Sequence, residues 1–145
     1  MSVEENKAVL RHIYEEIFNK GKLELIPKTH AHDYVFHSFL GRDGKGLEHV
    51  KQVVNNHRNL SSDAHFEIVN MVGDEDMVAV RMLLQGTITG SGMGRNTIGK
   101  QIKLVASYLY RFEDGKAKEM WDVYDRLTWF QQLGIAPPGY EFAKK

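Results

Sequence analysis

The chain has 145 residues, 42% apolar and 26% charged, with 19 Lys plus Arg against 19 Asp plus Glu and no cysteine. That length suits one ordinary domain able to bury about 68–70% of its unfolded surface, so disorder, collagen and coiled coil are disfavoured. Zero net charge argues against a nucleic-acid partner while permitting self-association, and the lack of thiols removes disulfides, iron–sulfur clusters and thiol catalysis.

The opening residues Met1 to Lys7 are acidic and polar, without the basic and apolar regions of a signal peptide. No apolar run approaches membrane-spanning length, so a cytoplasmic protein is expected. Ser2 followed by Glu5 fits a capping box. Leu10, Ile13, Tyr14, Ile17 and Phe18 then keep the spacing of an amphipathic helix that ends at Gly21. A short helical turn is expected over Leu23 to Ile26, before Pro27. Asp33 to Phe39 reads as extended, and Gly41 to Gly44 as a turn. Leu47, Val50, Val54 and the stem of Arg58 mark one stripe of another helix, with Lys51, Gln52 and Asn55 on its polar face.

Beyond residue 64 the period changes to two. His65 to Val72, Met77 to Thr89, Ile98 to Phe112 and Lys116 to Asp125 read as four strands. Glu113-Asp114-Gly115 suits a three-residue hairpin pairing Phe112 with Lys116. That pairing puts Tyr108, Tyr110, Met120, Asp122 and Tyr124 on one face, whereas a two-residue loop would flip them. Pro137-Pro138-Gly139 begins a tail whose Tyr140 and Phe142 could pack on a neighbour. The order predicts one α+β domain, with its core at about 4–134 and a tail at 135–145. A curved sheet of four to six strands wraps the N-terminal helix and the Leu47–Arg58 helix, leaving a conical pocket. The open sheet face, rich in Val, Leu and Trp at alternate positions, points to a homodimer.

Gly94 to Gln101 nearly spells a phosphate-binding loop, but Gln101 replaces the final Ser or Thr and a strand follows where a helix is required. It reads as a flexible inter-strand loop. His30, His32, Asp33 and His37 carry zinc-ligand chemistry but fit no closed zinc spacing, so no metal is expected. His12, His49, His57 and His65 read as surface or edge residues. Arg81 is the one charge in the apolar strand Met77 to Leu84. It is either an Arg whose stem packs while its head reaches solvent, or a counter-ion for a pocket acid or substrate oxygen. Asp125 precedes a helical run and reads as its N-cap. Asp122 lies inside a strand, beside Trp121 and close to Tyr124, where desolvation raises a carboxyl pKa and suits it to proton transfer.

Several segments, in order, resemble the SnoaL-like polyketide cyclase family of the nuclear-transport-factor-like superfamily. They are Asp33-Tyr-Val-Phe-His37, Gly73-Asp-Glu-Asp76 through Val78-Ala-Val-Arg81, and Gly86-Thr87 with Thr97-Ile-Gly99-Lys100. Tyr110 to Lys116, Glu119-Met-Trp121-Asp122, and Asp125 with Gln132-Leu133-Gly134 complete the set. The resemblance implies a cone-shaped α+β fold and an intramolecular aldol cyclisation of a polyketide-like carbonyl compound without cofactor or metal. It implies that Asp122 is the acid/base. Family cyclases carry a histidine on the preceding strand, at the position of Tyr108.

Asp122 is therefore the expected catalytic residue. Tyr14, Tyr108, Asn55 and His37 are expected to donate to substrate oxygens, with Arg81 as counter-ion. Trp121, Phe36, Phe39 and Phe130 offer flat walls to a small apolar or aromatic ligand. The alternatives are a binding module that holds its ligand unchanged, or an isomerase- or hydrolase-type relative.

Overall fold

In the computed structural model, which describes residues 1–136, Ser2 and Glu5 form the capping box. Glu5 N–H donates to Ser2 Oγ at 3.1 Å, and Ser2 N–H donates to Glu5 Oε1 at 3.3 Å. They open α1 (Val3–His12), which continues unbroken as a π-helical segment, Ile13–Phe18. There Asn19 N–H reaches back five residues to Tyr14 O at 2.9 Å. The expected stripe is the buried one: Leu10, Ile13, Tyr14 and Ile17 all sit in the core. A 3₁₀ turn (Leu23–Leu25) and α2 (Ile26–Thr29) lead into β1 (His30–His37), which starts and ends earlier than Asp33 to Phe39. The tail residues Tyr140 and Phe142 lie outside the described residues.

After β2 (Gly44–Lys45) comes α3 (Gly46–Leu60), whose Val50 and Val54 are buried as expected. The remaining strands are β3 (His65–Asp74), β4 (Met77–Thr87), β5 (Gln101–Glu113) and β6 (Lys116–Tyr124), followed by α4 (Arg126–Leu133). They form one curved, unclosed sheet in the order β2-β1-β6-β5-β4-β3. All neighbours are antiparallel except β1 and β6, which run parallel with His37 opposite Trp121. Inward residues of β4 and β5, such as Val78, Met82, Leu104 and Phe112, share one core with Leu10 of α1 and with Ile13 and Ile17.

The β5–β6 turn differs from expectation. Glu113 pairs with Lys116 across two residues, Asp114 (φ 51°) and Gly115 (φ 76°), the mirror-image turn that fits strand twist. Alone, that turn would send Asp122 outward. A bulge between Arg111 and Phe112 adds a second one-residue shift, which restores the facing: Phe112 opposes Ala117 while Arg111 opposes Glu119. Tyr110 then meets Met120, and Tyr108 meets Asp122, so the expected inward set is preserved.

The glycine-rich stretch after β4 is held rather than loose. Thr89 and Gly90 N–H both donate to Leu60 O, at 2.9 and 3.0 Å. Strand pairing stops at Thr87 and resumes at Gln101, short of the expected Thr89 and Ile98, because a 3₁₀ turn (Arg95–Thr97) intervenes. Asp125 caps α4: Oδ1 accepts from Thr128 N–H at 3.0 Å and Oδ2 from the Thr128 hydroxyl at 2.6 Å. Leu133 then buries against Ile88 and Ile102. Among the described residues no helix is long and apolar enough to cross a membrane.

A Cβ at Gly90 would lie 2.1 Å from the Asn59 carbonyl oxygen, so the chain must yield to accommodate it. Gly90→Ala is expected to cost about 1–3 kcal/mol in urea unfolding. Gly92→Ala, whose Cβ meets nothing nearer than Leu60 at 4.0 Å, should stay within about 0.5 kcal/mol.

Candidate functional site

The inner face of the sheet, the π-helical segment Ile13–Phe18 and α3 enclose a two-lobed cavity. Tyr14, Tyr34, Phe66, Tyr110 and Met120 are among the residues lining an inner lobe of about 70 Å³. Leu60, Leu84, Leu104, Tyr124 and Trp129 help line an outer lobe of about 260 Å³. Val53, His57, Tyr108 and Asp122 line both, and so mark the waist where the lobes meet.

Asp122 reaches the waist because β6 alternates: Met120, Asp122 and Tyr124 face inward while Trp121 faces outward. Its carboxylate is half-buried and accepts the Phe39 N–H at 3.0 Å on Oδ1. Burial raises its pKa above the ordinary 3.8, and the Phe39 hydrogen bond offsets part of that rise. Around it stand four buried or half-buried phenols, Tyr34, Tyr108, Tyr110 and Tyr124, all pushed above their ordinary pKa chiefly by desolvation, with the charge of Asp122 adding to each and that of Arg126 opposing the rise at Tyr124. They remain protonated at neutral pH and can donate. Tyr14 and Tyr110 share a hydrogen bond of 2.6 Å, and the Tyr14 ring stacks over Tyr108 with centroids 5.9 Å apart.

Of the expected ligand contacts, Tyr14, Tyr108 and Phe36 line the cavity. His37, Arg81, Trp121 and Asn55 do not. His37 lies on the outer face, stacked on Trp121 at 5.0 Å with Nε2 2.8 Å from Glu119 Oε2. Glu119 in turn accepts from Arg111 Nε at 2.8 Å, so both its partners draw it below the ordinary carboxylate range, His37 most. Arg81 is exposed on that outer face opposite Ser107, because Val80 and Met82 take the inward positions of β4. Asn55 is exposed, and its neighbour Asn56 lines the outer lobe, since one residue is about 100° of helical rotation. Phe39 contributes its backbone amide instead of a wall, and Phe130 sits under Arg126, 4.8 Å from its guanidinium carbon.

The histidines divide differently from expectation. His30 is buried, with Nδ1 2.9 Å from Thr29 Oγ1, and desolvation drops its pKa to about 4. Asp33 faces away and pairs with Lys118. Among the described residues no three His, Asp or Glu side chains gather closely enough to hold a metal ion. His49 and His57 are not surface residues: both line the inner lobe, and desolvation lowers both, His57 to about 4. His49 stacks on Phe36 at 5.2 Å. The signal for His57 was present in the sequence, since Val50, Val53, Val54 and His57 keep the i, i+3, i+4, i+7 spacing of one helix face.

Comparison with known proteins agrees with this architecture. No curated protein matches the sequence. Three crystal structures superpose over most of the chain. AclR from Streptomyces galilaeus, a candidate hydroxylase, is 26% identical with TM-score 0.82, over 94% of this chain and 89% of that one. A candidate polyketide cyclase from Acidithiobacillus ferrooxidans is 28% identical with TM-score 0.81, over 94% of this chain and 100% of that one. IdmH, a candidate polyketide cyclase from Streptomyces antibioticus, is 25% identical with TM-score 0.80, over 89% and 98%. The model of the SnoaL-like polyketide cyclases matches residues 8–133, nearly the whole described domain. The chain belongs to the SnoaL-like polyketide cyclase family.

Proposed function

We propose that the chain is an enzyme that closes a ring in a small apolar carbonyl compound by acid/base chemistry, using no cofactor. The observation that carries this reading is Asp122: a half-buried carboxylate of raised pKa at the waist of an apolar cavity, facing Tyr108. Its carboxylate takes a proton from a carbon beside a carbonyl. The resulting enolate carbon bonds to a second carbonyl carbon of the same molecule, whose π electrons move to oxygen. That alkoxide takes the proton back from Asp122, so the carboxylate is regenerated. Tyr108 donates to the developing enolate oxygen.

Base-catalysed exchange of the α-protons of β-tetralone for deuterium, followed by NMR, tests the first step without the natural substrate. Asp122→Asn should slow protein-catalysed exchange by about 10²–10⁴-fold. Exchange at the wild-type rate in that variant would leave a module that binds without transforming. The same variant has a stability signature. Because burial raises Asp122 above its unfolded value, the native state holds this proton more tightly than the unfolded chain. The stability that proton linkage contributes is complete below about pH 3.8 and is lost as pH rises through the raised value. Asp122→Asn should therefore exceed the wild type in stability at neutral pH, with the difference vanishing in acid denaturation series.

We further propose a second copy of the chain as partner of the outer sheet face. Val72, Val105, Leu109 and Val123 are exposed there, beside Trp121. Light scattering should give a dimer at micromolar concentration, and Leu109→Glu with Val123→Glu a monomer of unchanged circular dichroism. A monomeric wild type would refute the pairing.

A further inference from the structure

Resting on the small-ligand reading above, one residue can be assigned a role that the sequence left at the surface. His57 sits on α3, one turn after Val53, and lines both lobes with Tyr108 and Asp122. Its ring is walled by Phe18 and Phe66, edge-on at 6.2 and 5.2 Å. Among the described residues neither of its ring nitrogens makes a hydrogen bond to the protein. His30 meets Thr29 Oγ1 and His37 meets Glu119, whereas His49 keeps a buried Nε2 without a partner in the inner lobe and, unlike His57, does not reach the outer one. The half-buried ring of His57 does not seal its nitrogens away from open space, and the open space it borders is the cavity. The unused nitrogens of His57 therefore belong to the waist of the cavity.

We propose that His57 contacts the reacting carbonyl of the ligand, its ring N–H donating to the carbonyl oxygen while Asp122 faces the adjacent carbon. Two sides of the waist then act on one functional group: α3 supplies the donor and β6 the base. Burial keeps the imidazole neutral at neutral pH, with one N–H and one lone pair. Neutrality matters, since it leaves the ring a donor without adding a charge to the apolar waist. The titratable groups that share the lobes with His57 are Asp122 from β6, Tyr108 and Tyr110 from β5, Tyr14 from the N-terminal helix, Tyr34 and His30 from β1, and His49 from α3 itself. Tyr124 joins them from β6 in the outer lobe. Among the described residues no Lys or Arg lines either lobe, so an anionic ligand would find there one carboxylate and no counter-charge. The ligand class is accordingly an uncharged ring ketone rather than a carboxylate.

Three probes test this by calorimetry: β-tetralone, tetralin, which lacks the oxygen, and tetralin carboxylate. The wild-type chain should prefer the ketone to the hydrocarbon and bind the carboxylate weakest. His57→Phe should lose about 3–10-fold in ketone affinity, the usual worth of one neutral hydrogen bond, and keep its affinity for tetralin. His57→Gln, which retains an N–H, should recover part of the loss. In the wild type, the His57 ring ¹⁵N signals should move on adding the ketone and stay still on adding tetralin, a readout that needs no variant to fold. Equal ketone affinity in wild type and His57→Phe, or unmoved ring signals, overturns the assignment. Tight binding of the carboxylate overturns the ligand class. Absence of binding by any probe overturns both this proposal and the small-ligand reading. Ketone binding through His57 with exchange unaffected by Asp122→Asn leaves the contact standing and removes only the acid/base reading.

Discussion

The register of β5 against β6 is the constraint on which the rest depends. Side chains alternate across a sheet, so a slip of one residue would exchange Asp122 and Trp121 between cavity and outer face. Two local irregularities act together here. The tight Asp114-Gly115 turn advances the pairing by one residue, and the bulge at Arg111 and Phe112 advances it by another, which restores the facing. Arg111, next to the bulge, is bound by Glu119, which His37 also holds from β1. The outer-face ionic network thus ties together the strands whose inner faces carry Tyr34, Tyr108 and Asp122. His37 and Arg111 act on the site by holding its walls in register, without touching it.

Inside the cavity the polar groups are kept uncharged, with one exception. Tyrosines are pushed up and histidines down, each toward its neutral form, by the same loss of water. Only Asp122 keeps contact with a backbone donor and enough exposure to ionise. A lone carboxylate in such surroundings is a stronger base than one in water. The Tyr14–Tyr110 hydrogen bond fixes the floor beneath it, joining the N-terminal helix to β5 through 2.6 Å. The π-helical widening at Ile13–Phe18 lies at this contact, so the helix departs from regular geometry where it delivers Tyr14.

Much of this was legible in the sequence because burial leaves periodic marks. The N-terminal stripe and the four later strands follow from spacing alone, while the inward set containing Asp122 needed the bulge as well as the alternation. The capping roles of Ser2 and Asp125 follow from local chemistry. What spacing could not give was the partner of each strand. The parallel docking of β1 on β6 joins segments more than eighty residues apart, and it decides that His37 faces outward onto Glu119. Arg81 and Trp121 were misplaced for a related reason: a residue type suited to a site says nothing of which sheet face it occupies. His57 was passed over because histidine is ordinarily a surface residue, although its place in the Val50–Val53–Val54 stripe already set it inward.

That same docking orders events during folding. β3 with β4, and β5 with β6, are joined by two-residue turns and can zip as hairpins from nearby contacts, and β4 and β5 are neighbours in sequence as in the sheet. β1 has no neighbour of its own in sequence except the two-residue β2, and must wait for β6, the last strand to be made. Closing so long a loop is entropically slow. A chain still on the ribosome with β6 unmade lacks Asp122 and the edge that receives β1, and leaves Tyr34 and Phe36 without their sheet. The chemistry of the cavity and the completion of the sheet therefore arrive together, in a single late step.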